Sequence, residues 1–71
     1  MTLFDRNVNS GFIRSIGGDE QTHRRLVDMG LLDARFTVRS RRENALLADF
    51  GDFSAVVCES AARCIETVAR L

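Results

Sequence analysis

Apolar and polar positions alternate with period two along much of the chain and with a helical period along one stretch. In residues 35–42, Arg-Phe-Thr-Val-Arg-Ser-Arg-Arg, Phe36 and Val38 fall on one side while Arg35, Thr37, Arg39 and Arg41 fall on the other. That pattern predicts a half-buried strand with an arginine-lined outer face. Residues 12–16, Phe-Ile-Arg-Ser-Ile, are β-branched and aromatic, follow Gly11 and stop at Gly17 and Gly18, and read as a first strand. Between these two, Leu26 and Met29 lie three apart and Thr22 lies four before Leu26. Asp19 is placed to cap the helix start, Glu20 adds charge at its positive end, and Gly30 stands where a left-handed C-cap is wanted. Residues 20–29 are therefore predicted to form a three-turn amphipathic helix.

After a polar bend at Glu43 and Asn44, residues 45–50 and 53–58 read as two more strands, with Gly51 and Asp52 as a two-residue hairpin loop. Residues 59–64 have the small side chains of a single helical turn with Ser60 as its cap, and residues 65–68 alternate again as a closing strand. The first ten residues keep neither period and read as an extended lead-in, with Leu3, Phe4 and Val8 covering part of the core.

Five short strands and one helix in 71 residues cannot make two separately covered layers, so the sheet is expected to curl on itself. The expectation is a mainly β fold, a small barrel, with residues 1–71 as a single domain. A hydrophobic content of 45%, 28% charged residues and no proline place the chain with ordinary globular proteins. Ten basic residues balance ten acidic ones, which removes the bulk attraction that drives non-specific binding to nucleic acid, and no nucleic-acid partner is expected. No apolar run approaches the length of a bilayer span, and the start from Met1 to Arg6 lacks a basic stretch followed by an apolar one, so a cytoplasmic protein is expected. All ten basic residues are arginine, a bias that reads first as base composition.

Candidate chemistry is sparse. His23 sits among arginines on the helix and reads as a solvated surface residue rather than a general base. Cys58 and Cys64 lack the spacing of a zinc knuckle and read as buried, reduced structural thiols. Asp49, Asp52, Glu59 and Glu66 are scattered, and the first two flank a hairpin as turn residues do. Gly17 and Gly18 lack the later glycine and lysine of a phosphate loop. No catalytic, cofactor-binding or metal residue is assigned, and no cofactor is expected. The concentrated feature is the arginine stripe Arg35, Arg39 and Arg41, joined by Arg42, with Arg24 on the helix as a further candidate. It reads either as a solvated strand face or as a docking surface for acidic groups. Met29, Leu31 and Leu32 form an apolar cluster beside the helix end, and any part left exposed is a natural patch for a partner or for self-association.

Residues 25–31, Arg-Leu-Val-Asp-Met-Gly-Leu, resemble the rL-x-x-(M/L)-G-L signature of the FeoA family. The β-rich stretch at 35–38, the glycine hairpin at Gly51 and the ending Ala-Ala-Arg-Cys-Ile-Glu-Thr-Val over 61–68 follow in the family's order, so the resemblance runs from Gly11 onward. The chain departs from the family at Leu32, Asp33 and Ala34, where proline-glycine is usual after the Gly-Leu pair. It departs again at Glu43 and Asn44, where many members carry a glycine-aspartate-proline stretch. The resemblance implies an SH3-like barrel, cytoplasmic and peripheral to the inner membrane through its partner. It would associate with the cytosolic part of a FeoB-type GTP-binding ferrous iron transporter and modulate it without catalysis of its own. The partner surface would comprise Arg35, Arg39, Arg41, Arg42, Met29 and Leu31, with a homo-oligomer as a further reading. The rivals are a stand-alone relative of the SH3-like domain that ends metal-dependent repressors, and an RNA-binding small barrel. The latter wants exposed stacking aromatics, and the chain has neither tyrosine nor tryptophan.

Overall fold

Seven elements follow one another in the computed structural model, which describes residues 1–69. They are β1 (Ser10–Ile16), α1 (Glu20–Asp28), β2 (Arg35–Arg41), β3 (Ala45–Asp49), β4 (Ser54–Cys58), the single turn α2 (Glu59–Ala62) and β5 (Ile65–Val68). The protein is mainly β, with one helix between the first two strands and a short helical turn before the last, as the patterning predicts. All five strands join one antiparallel sheet in the order β4-β3-β2-β1-β5. The expectation of a closed barrel is corrected: among the described residues no ladder joins β4 to β5, and α2 carries the chain from the end of one to the start of the other.

Curvature comes from two irregularities, where register shifts between Ile13 and Ser15 in β1 and between Val38 and Ser40 in β2. An extra residue on one strand bends it and increases its local twist. The concave face wraps a single core in which Leu3, Ile13, Leu31, Phe36, Leu46 and Ile65 are the largest fully buried side chains.

Local chemistry explains the element boundaries. Asp19 caps α1, its Oδ1 accepting from the Thr22 amide at 2.7 Å. The Thr22 backbone bond, followed by the Thr22 side chain, holds the Asp19 carboxyl below its usual range. The helix stops at Asp28 with Met29 as its C-cap, because Gly30 takes φ 83° and turns the chain out of the helix. Strand β1 begins at Ser10 and runs through Gly11. A Cβ at Gly11 would lie 2.4 Å from the Val68 carbonyl oxygen, so a glycine inside the strand is what lets β1 and the end of β5 approach.

The lead-in is tied down along its length. Thr2 bridges Glu66, the Leu3 amide donates to the Ile65 carbonyl at 2.9 Å, and the Thr67 amide donates to the Met1 carbonyl at 2.8 Å. Leu3 and Val8 are buried and Phe4 packs against the core. At α2 the expected Ser60 cap is absent: Cys58 is the N-cap and makes no capping bond with its side chain. The turn is held instead by the Glu59 amide donating to the Asn44 carbonyl at 2.8 Å.

Candidate docking surface

The arginines of β2 divide between the two faces of the sheet. Arg35 lies over the Phe12 ring, 5.4 Å from its centroid. Arg39 pairs with the Asp49 carboxylate, which also accepts from the Ser54 hydroxyl. Those two bonds, Ser54 first and Arg39 second, keep the Asp49 carboxyl below its usual range. Arg42 lines a shallow recess with Phe4, Arg6, Arg41 and Glu43.

Arg41 does not join this outer face. The register shift after Val38 inserts one residue, so Arg41 pairs with buried Leu46 rather than falling in line with Arg39. A one-residue slip moves every later side chain to the opposite face. The Arg41 guanidinium accordingly reaches the lead-in, donating to the carbonyls of Leu3 at 3.5 Å, Phe4 at 3.4 Å and Val8, while its Nε is buried without a partner. Its role is structural, and its place in the docking set is corrected. Leu31 is corrected likewise: it is fully buried, whereas its neighbours Met29 and Leu32 are 41% and 46% exposed.

The turn after α1 shows why. The Ala34 amide donates to the Leu31 carbonyl at 3.1 Å and Asp33 takes φ 64°. A positive φ at the third position of such a turn is the type II pattern, which favours glycine and tolerates aspartate. This folds Leu31 inward and leaves Leu32 on the surface.

Other candidates stand apart from these arginines. His23 is exposed, with its ring Nδ1 donating to the Ile16 carbonyl at 2.7 Å, so it fastens α1 to the end of β1. Cys58 is exposed and Cys64 half-buried, against the expectation that both are buried. They line one cleft between α1 and α2 and both touch Ser60: Cys58 Sγ lies 3.3 Å from its hydroxyl, and Cys64 Sγ donates to its carbonyl at 3.2 Å. The Ser60 hydroxyl, then the Ala61 amide, favour the Cys58 thiolate and lower its pKa. Among the described residues no three histidine, cysteine, aspartate or glutamate side chains gather in a way that could hold a metal ion. No helix among them is long and apolar enough to cross a membrane.

Sequence reasoning missed Val56, which is 73% exposed in the middle of β4. The run Phe-Ser-Ala-Val-Val-Cys has adjacent valines and does not say which one faces the core. Pairing settles it, since Val57 opposes buried Leu46 and Val56 opposes half-buried Leu47 on the outer face.

A scan against protein-family models, a search of curated proteins and a search of solved structures return no match to this chain.

Proposed function

We propose that the protein is a FeoA-like docking module that associates with the cytosolic part of a FeoB-type ferrous iron transporter and modulates it without chemistry of its own. The observation that carries this reading is the segment from Leu26 to Ala34. Leu26 and Leu31 are buried, Gly30 has the positive φ of a helix-ending glycine, and Asp33 has a positive φ in the following turn. Positions that carry the resemblance thus have the structural work their residue types imply. The departure from proline-glycine is absorbed because aspartate is among the residues that tolerate a left-handed φ.

The surface left for a partner is Arg35, Arg39 and Arg42 together with Met29 and Leu32. Planar guanidinium groups give bidentate pairs with carboxylates, and such rim charges act on association rate and salt dependence. Charge reversal of both Arg35 and Arg39 is expected to weaken binding to the isolated cytosolic part of such a transporter by about tenfold, with only a small drop in the thermal midpoint because the Arg39–Asp49 pair it breaks is open to solvent. Calorimetric titration of the parent and the double variant checks this. A parent chain that does not bind the transporter removes the reading, and equal binding by both removes the surface.

A further inference from the structure

We propose that β4 is a self-pairing edge through which two copies of this chain associate antiparallel about a two-fold axis at Val56. The inference stands apart from the transporter reading and rests on backbone geometry.

Two bonds define which backbone groups of β4 are free. The Phe50 amide donates to the Phe53 carbonyl at 2.8 Å, and the Glu59 amide donates to the Asn44 carbonyl at 2.8 Å. Hydrogen-bonded and non-hydrogen-bonded pairs alternate along an antiparallel ladder. With Asp49 opposite Ser54 and Ala45 opposite Cys58, both anchors give the same phase. The amides and carbonyls of Ala55 and Val57 point to β3, those of Ser54 and Val56 and the amide of Cys58 point away from it, and the Cys58 carbonyl, at the N-cap, accepts the first bond of α2. No strand among the described residues takes them up, since β4 ends the sheet. An unprotected edge of this kind is a template for another strand.

The strand's own chemistry selects the occupant. Ser-Ala-Val-Val-Cys carries no charge and no proline, so it offers a foreign peptide no charge complementarity. A second copy meets no repulsion. An antiparallel pair of identical strands is the two-fold, isologous arrangement. Centred on Val56, it places Val56 opposite its symmetry mate as a hydrogen-bonded pair, Ser54 opposite Cys58, and Ala55 opposite Val57. Phe53 then opposes Glu59, so no like charges face one another. On the outer face Leu47 and Val56 of each copy form one apolar strip across the junction, removing from water a valine that is 73% exposed in the single chain. A five-residue pairing is smaller than a standard interface, so the dimer is weak and concentration-dependent.

Sedimentation of the intact chain tests the proposal. The weight-average mass is expected to rise from 7.9 kDa towards twice that value between about 10 µM and about 1 mM. Hydrogen exchange on the same samples locates the contact. The amides of Val56 and Cys58 are expected to slow by about tenfold at the higher concentration, while those of Ala55 and Val57 stay protected at both. Val56→Lys, which sets two ammonium groups opposite each other on the axis, is expected to stay at 7.9 kDa throughout, and Val56→Thr to associate like the parent. A parent that holds the single-chain mass across the range overturns the proposal. So does concentration-dependent protection at Met29 and Leu32 instead of at the alternate amides of β4.

Discussion

The two edges of the sheet are treated in opposite ways. At β5 the lead-in lies alongside the strand, with Thr2 bridging Glu66 and Leu3 and Thr67 exchanging backbone bonds with the chain opposite them. At β4 the outward backbone groups of Ser54, Val56 and Cys58 have no strand beside them among the described residues. Both edges carry β-branched residues, and β5 adds the charge of Glu66, which pairs with the N-terminal ammonium. What protects β5 is a distant segment held in place by Arg41, whose guanidinium bonds to carbonyls of Leu3, Phe4 and Val8. That arginine points inward because β2 carries a bulge. Closure of one edge therefore depends on a register shift two strands away, and nothing equivalent among the described residues reaches the other edge.

The largest effect is expected where β1 approaches β5. Gly11→Ala would force a methyl group to within 2.4 Å of the Val68 carbonyl at a φ of 150°. The clash and the backbone strain together should cost about 3 kcal/mol in urea unfolding. A loss below about 0.5 kcal/mol would show that the approach of β1 to Val68 is not needed.

Releasing the lead-in should come next. Arg41→Ala strips donors from three carbonyls and is expected to cost about 2 kcal/mol, offset in part by removal of the orphaned Nε. Exchange at the Leu3 and Thr67 amides should accelerate while the Ala55 and Val57 amides hold their protection. Uniform acceleration across the sheet would mean that Arg41 supports the whole fold rather than one edge.

The smallest effect is electrostatic. Asp19 and Asp49 both have carboxyls held below the usual range by hydrogen bonds, from Thr22 in one case and from Ser54 and Arg39 in the other. A carboxyl whose folded pKa is lowered contributes stability in full above its unfolded value and loses it as pH falls through the folded one. Stability should therefore be flat with respect to these groups above about pH 5 and decline below about pH 4. Asp49→Asn should flatten part of that decline, modestly, because the pair is open to solvent. Acid titrations that superimpose for parent and variant would detach the Arg39 pair from stability.

Several features are legible in the sequence alone. Asp19 and Gly30 bracket α1 because capping is local chemistry, needing only an oxygen near the Thr22 amide and a residue free to take a positive φ. Gly51 and Asp52 do form the two-residue loop between β3 and β4, with Phe50 and Phe53 bonded across it. Phe36 and Val38 face inward as period two requires. Of the candidate surface, Arg35, Arg39 and Met29 are exposed as their positions imply.

Other features had no local signature. Alternation predicts an outward Arg41, but strand β2 gains a residue against β3, and nothing in Arg-Ser-Arg-Arg marks that insertion. The lead-in shows no period because it is built from short turns, with Asp5 bonded to Thr2 and Val8 to Asp5, and because its bonds to β5 reach more than sixty residues along the chain. Cys58 resembles a core residue by type, yet pairing turns it outward with Val56.

The residues themselves specify which segments extend, which one coils and where each stops, since these follow from side-chain period and from bonds that span three or four positions. Which edge is closed and which is open, and whether an arginine serves the surface or the interior, depended on register and on contacts between ends of the chain. Such contacts are energetic only once distant segments have met, so no window of sequence contains them.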